Sequence, residues 1–189
     1  VPHEADLLGR PDTPSDGRWQ RGEIVPALYL ADTAQTATAE WYRSLAEWGL
    51  SPQDHVPYDH HRWRVDLQLA DLGDVDPLQG LALDPPRPGR HTWTAYQRVG
   101  ERLWREGWAG LIAPSAARPG SLIACVFAPV WPPAGCTPSD ASAVNSALSG
   151  WWFEPIPGHT GPQDSAQPSQ CRIPAVDVVS SQIRPIEVS

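Results

Sequence analysis

The chain has no lysine and no methionine, and all fourteen of its cationic side chains are arginine. Without lysine there is no Schiff-base chemistry and no P-loop lysine to grip a phosphate. A GC-rich genome would produce the same arginine bias. The missing methionine makes Val1 an expected processed or trimmed end, or a non-ATG start read as valine. Cysteine is also scarce. Cys125, Cys136 and Cys171 are odd in number and show no CxxC spacing, which points to neither a disulfide framework nor a zinc site. No metal is expected.

Long apolar runs are missing too. The longest, Leu122 to Trp131, is half a membrane span, and the first residues carry His3, Glu4, Asp6 and Arg10 rather than a signal peptide's hydrophobic stretch. The expectation is a soluble, cytoplasmic protein with no membrane contact. A net charge of −8 and a pI near 5.1 argue against a nucleic-acid clamp, which needs a basic face, and the acidic balance suits a basic protein partner. No Gly-x-Gly-x-x-Gly follows a strand and no Walker loop occurs, so a bound nucleotide would be a substrate in some other kind of cleft.

A length of 189 residues suits one compact domain with something left over. Composition places the division near residue 130. Ten of the 22 prolines lie from Pro129 onward, with many serines and only Arg172 and Arg184 as cations. Residues 1–128 read as the domain. Residues 129–189 read as a Pro/Ser-rich tail, loosely packed or disordered, with Trp151, Trp152 and Phe153 as its one sticky point.

Within the domain, residues 1–23 are a loop and Ala27–Ala31 a short strand. Asp32-Thr33 is helix-start chemistry. Ala37, Trp41, Leu45 and Trp48 recur at helical spacing, predicting a helix over 34–48 with that stripe inward, ended by Gly49. Trp63, Val65, Leu67 and Leu69 alternate with polar residues as a half-buried strand. Residues 71–92 are a Pro/Gly-rich connection. A second helix over 93–106 is predicted to bury Ala95, Val99 and Leu103, and residues 111–113 and 122–127 read as strands. The mixture is a small α+β domain.

Several residues could carry chemistry. Glu40 flanks the inward stripe, and its ordinary reading is a solvated partner for Arg43 at i+3, beside Glu47. Tyr29 faces opposite to Leu28 and Leu30 and reads as a core or surface β-tyrosine. Ser115, after a proline at a strand end, reads as a turn or cap residue. Arg18 reads as a surface arginine beside a Trp19 packing anchor. His55, Asp59, His60 and His61 look metal-like, but adjacent side chains point apart and Pro52 and Pro57 punctuate the stretch. On periodicity alone, no site is assured.

The order of the pieces adds more. Gly17-Arg18-Trp19, Leu28-Tyr29-Leu30-Ala31, Ala39-Glu40, Gly100-x-x-Leu103, Gly107-x-x-Gly110-Leu111 and Ala113-Pro114-Ser115-Ala116 follow one another over residues 9–128. Each is weak alone; in this order they resemble the RES family, named for an arginine, a glutamate and a serine. The resemblance implies an ADP-ribosyltransferase-like fold, with a split β-structure and flanking helices making an NAD cleft. It implies a toxin that cleaves NAD at the nicotinamide–ribose bond by phosphorolysis or hydrolysis, with no cofactor, NAD as substrate and phosphate as a co-substrate. Carried over residue by residue, Glu40 and Ser115 become catalytic, and Tyr29 and Arg18 substrate-binding. The implied partner is an Xre-type antitoxin, with room for a homo-oligomer in the complex and no direct nucleic-acid contact. Transfer of ADP-ribose to a protein, and a non-catalytic protein that only binds its antitoxin, are the alternatives. The family's leading arginine sits on an N-terminal strand; Arg10 lies instead in a Gly-Arg-Pro turn, and the counterpart is expected before Val1.

Overall fold

The computed structural model describes residues 15–55, 58–127, 136–139, 154–155 and 169–183, with side chains over 15–54 and 62–127. Chain order gives β1 (Ala27–Ala31), α1 (Ala34–Trp48), a 3-10 turn (Pro52–His55), β2 (Tyr58–Asp71), α2 (Val75–Gly80) and α3 (Trp93–Arg105). β3 (Gly110–Pro114), β4 (Leu122–Phe127), β5 (Cys136–Ser139), β6 (Glu154–Pro155) and β7 (Ser169–Ile183) follow. The class is α+β, as the periodicities indicate. Among the described residues, no helix is long and apolar enough to cross a membrane.

The strands form one seven-stranded sheet in the order β5-β2-β3-β4-β1-β7-β6, with β7 also paired to β2. That second pairing curls the sheet into a ring: β2 lies parallel to β3, β4 is antiparallel to β3 and β1, and β7 meets β1 at Ala31–Val179 and runs antiparallel along β2. Strand alternation then divides the core. Leu28, Leu30, Trp63, Val65, Leu69, Ile112, Ala124 and Val126 pack together on one face. On the other, Leu111, Ala113, Cys125 and Phe127 pack with Trp19, Leu78, Tyr96, Val99 and Leu103 from the preceding loop, α2 and α3.

Helix α1 begins where the sequence places it. Thr33 is extended, and its hydroxyl accepts from the Thr36 N–H at 3.1 Å. Gly49 ends the helix in the left-handed region at φ 68°, where a Cβ would be strained. Ala37, Trp41 and Leu45 are buried, but Trp48 is 45% exposed and carries the Arg90 guanidinium 3.7 Å from its ring centroid. The stripe therefore stops one turn short of the helix end.

Helix α3 corrects one expectation. Ala95 is exposed, and the inward residues are Trp93, Tyr96, Val99, Gly100 and Leu103. Two large apolar side chains, Trp93 and Tyr96, gain more from burial than a methyl group does, and they set the helix's rotation. Gly100 makes that rotation workable, because a Cβ there would lie 1.7 Å from the Trp19 carbonyl oxygen. Residues 71–92 also hold the short helix α2, which buries Leu78.

Regular structure continues past residue 129, where composition gave no reason to expect it. β5 and β7 both pair with β2. Within β7, Pro174 cannot donate to a ladder. It falls at a register shift: Val65 faces Val176 and Leu67 faces Ile173, leaving Pro174 and Ala175 opposite Asp66. A bulge is where a strand tolerates proline. Trp151, Trp152 and Phe153 lie outside the described residues.

Candidate functional site

Glu40 and Ser115 are 75 positions apart, and the fold makes them neighbours. Glu40 sits in the second turn of α1; Ser115 follows β3, where the chain turns back toward β4. The Ser115 Oγ donates to Glu40 Oε1 at 2.6 Å, and the Ala117 N–H reaches the same oxygen at 3.3 Å. Ser115 Oγ also accepts from the N–H groups of Ala117 and Arg118, at 3.2 and 3.0 Å. One donated and two accepted bonds fill a hydroxyl. Ser115 is thus the turn residue its sequence suggests, with its proton aimed at Glu40.

The far side of Glu40 belongs to Arg43, whose Nε donates to Oε2 at 2.6 Å. The i+3 pair read from the sequence does form, but not in solvent: the Arg43 and Glu40 side chains are 17% and 19% exposed, and Glu47, which takes Arg43's other arm, only 6%. Glu47 Oε1 accepts from the Gly89 N–H at 2.6 Å and stands 3.5 Å from the Arg18 guanidinium. Burial opposes the charge on Arg43, but Glu40 and Glu47 together outweigh it and raise its pKa.

Arg18 is buried rather than at the surface. It donates to the Arg87 carbonyl at 2.6 Å and to Thr92 Oγ1 at 3.3 Å, and lies over the Tyr96 ring. Burial, and then the nearby Arg43 charge, lower its pKa. In this arrangement its fork serves to join the loop before β1 to the connection before α3.

Tyr29 is half-buried on the α3 side of the sheet. Its hydroxyl accepts from the Trp19 N–H at 2.9 Å and donates toward Cys125, the residue opposite it on β4. Gly17 lies against it so closely that a Cβ would come within 2.5 Å of the hydroxyl. Burial holds the phenol well above its ordinary pKa and pushes the Cys125 thiol up to about 12, so neither group ionises near neutral pH.

All four candidate residues thus fall on one continuous series of contacts: Ser115, Glu40, Arg43, Glu47, Arg18, then through the Trp19 backbone to Tyr29. Arg43 and Glu47 were the residues to add. Their only signal in the sequence was the i+3 and i+4 spacing, which exposed pairs share. Arg118 also stands near, with its Nη1 on the Thr33 and Thr36 hydroxyls at the entry to α1. The side chains of His55, Asp59, His60 and His61 lie outside the described residues.

The chain belongs to the RES family: the model of the RES domain matches residues 2–142. It is 27% identical over 124 residues, 64% of this chain and 67% of the relative, to the NAD(+) phosphorylase MbcT of Mycobacterium bovis. The Mycobacterium tuberculosis protein of that name matches with the same values. No solved structure matches the chain.

Proposed function

We propose that the protein cleaves NAD at the nicotinamide–ribose bond, with Glu40 as the stabiliser of the developing ribosyl cation. The observation that carries this reading is the 2.6 Å bond from Ser115 Oγ to Glu40 Oε1. It joins two residues remote in sequence and holds a carboxylate in place before any substrate arrives. Breaking the bond to a cationic nicotinamide expels a neutral leaving group and builds oxocarbenium character on the ribose. A pre-positioned carboxylate stabilises that charge without reorganising at the moment of reaction. In this reading Ser115 holds Glu40, the Tyr29 ring offers a face for nicotinamide, and Arg18, substrate-binding by the resemblance, ties the loop before β1 to the connection before α3. The fold around them is ADP-ribosyltransferase-like, and residues 1–128 carry the reaction.

The acceptor we favour is inorganic phosphate, because the mycobacterial relatives are named NAD(+) phosphorylases. No cofactor is needed: NAD and phosphate are both substrates. We further propose that the protein acts in the cytoplasm as a toxin restrained by an Xre-type antitoxin, whose basic segment would meet the acidic balance of this chain.

The test is incubation with NAD, with and without phosphate, and product analysis by mass. Phosphate should give phosphorylated ADP-ribose and free nicotinamide. Glu40→Gln should stay folded and lose turnover by on the order of a hundredfold or more. Unchanged turnover in a folded Glu40→Gln protein would remove Glu40 from the mechanism. ADP-ribose found on a protein acceptor would make the enzyme a transferase.

A further inference from the structure

We propose that Arg43 is a positioning residue that fixes the Glu40 carboxylate for the reaction, an inference that rests on the role of Glu40 given above. A carboxylate offers about four acceptor positions. On Glu40, Oε1 takes the Ser115 hydroxyl and the longer Ala117 contact, and Oε2 takes Arg43 Nε. Among the described residues nothing takes the remaining lone pair on Oε2, and its direction is set once both oxygens are held. Ser115 alone would leave the carboxylate free to rotate about its last bond; Arg43 removes that rotation.

Arg43 is itself held. Its other arm is on Glu47, and Glu47 is anchored by the Gly89 N–H and by Arg18. The signs alternate along the seam: Glu40 negative, Arg43 positive, Glu47 negative, Arg18 positive. A lone arginine beside Glu40 would cancel the charge that the reaction needs. Glu47 divides the pull of Arg43, so the guanidinium orients Glu40 without fully neutralising it. A guanidinium is suited to this, since its planar fork reaches two carboxylates at fixed angles, which an ammonium cannot do. It also differs from the exposed i,i+3 pair the spacing suggests, whose side chains would be free to exchange partners with water.

Steady-state NAD turnover tests the assignment. Arg43→Gln should lower kcat by up to about a hundredfold, the scale expected of a misplaced catalytic group, with little change in KM. Arg43→Lys keeps the charge and loses the fork, and its kcat should fall between those of the wild type and Arg43→Gln. In a Glu40→Gln background, Arg43→Gln should cost no further turnover, because Arg43 acts through Glu40. If Arg43→Gln fails to fold, Arg43→Lys decides alone: a wild-type kcat there overturns the assignment. A loss confined to KM overturns it, as does a loss that multiplies with that of Glu40→Gln. A wild-type protein without NAD turnover overturns the functional reading as a whole. Turnover that depends on Glu40 but ignores Arg43 overturns this inference alone.

Discussion

Helices α1 and α3 both carry charge at i+3 or i+4 spacing and use it differently. On α1, Glu40, Arg43 and Glu47 stand at i, i+3 and i+7 and turn inward. On α3, Arg102 and Glu106 pair at 3.5 Å with both side chains 43% exposed; Glu101 alone is buried, held by Arg21, and Arg105 reaches it at 3.9 Å from solvent. α3 instead spends its inward face on packing, with Trp93, Tyr96, Val99 and Leu103, and with Gly100 letting its backbone touch the loop at Trp19. Desolvating charge is costly and seldom the best way to hold a helix down. α1 thus turns three charged side chains inward, whereas α3 holds one, Glu101, against Arg21 and otherwise gives its inward face mainly to apolar groups.

Four variants break or sharpen that contrast. The largest effect should come from α3. Gly100→Ala puts a methyl group into the Trp19 carbonyl, which is backbone and cannot swing away. The cost should reach or pass the upper end of the ~1–3 kcal/mol typical of overpacking, seen as insoluble protein or a collapsed thermal midpoint. A normal midpoint would show that the loop at Trp19 is not packed on α3.

The middle effect sets one helix against the other. Glu47→Gln leaves two guanidinium groups, Arg43 and Arg18, short of their shared counter-charge inside the protein. Urea denaturation should register a loss of about 3 kcal/mol, as for a broken buried pair. Arg102→Gln on α3 should stay within about 0.5 kcal/mol of the wild type, as exposed pairs do. Equal costs would erase the distinction.

The smallest effect is a matter of pH. Glu101 accepts from Arg21 through both of its oxygens, at 2.5 and 2.9 Å, and this bond holds its carboxyl below the usual range. A folded pKa below the unfolded one stabilises the protein above the unfolded pKa, and that stabilisation is lost as pH falls through the folded value. Glu101→Gln should therefore be slightly less stable at neutral pH and match the wild type in strong acid. Stability curves that stay parallel down to low pH would assign the pair no role.

Much of this was legible in the sequence because it is local. Thr33, the Ala37-Trp41-Leu45 stripe and Gly49 delimit α1 through interactions within a turn or two, and the alternation from Trp63 to Leu69 marks β2. Spacing alone does not show that Ala95 faces outward, because the larger Trp93 and Tyr96 beside it take the inward face. β7 was hidden for another reason: its proline counts against a strand until Asp66 of β2 is known to face the bulge. At the site, the pairing of Glu40 with Arg43 follows from their spacing, but their burial does not. Burial depends on the Ser115 turn and on Gly89, far along the chain. The family pattern singled out Glu40 and Ser115 without the geometry that joins them, and passed over Arg43 and Glu47.

The pairing of β7 with β2 also has a meaning in time. The two strands lie about a hundred residues apart in sequence, and contacts of such separation form late and slowly. During synthesis, β1, α1 and β2 leave the ribosome long before the strand that closes the ring. Until it arrives, β2 shows an open edge, the kind of surface that recruits strands from other chains. Because β7 also meets β1 at Ala31, just ahead of the cap of α1, the helix bearing Glu40 gains its last neighbour at the end of folding. On the proposed function, the enzyme would then become fully built only after most of its chain is in the open, leaving an interval in which an inhibitor could reach it first.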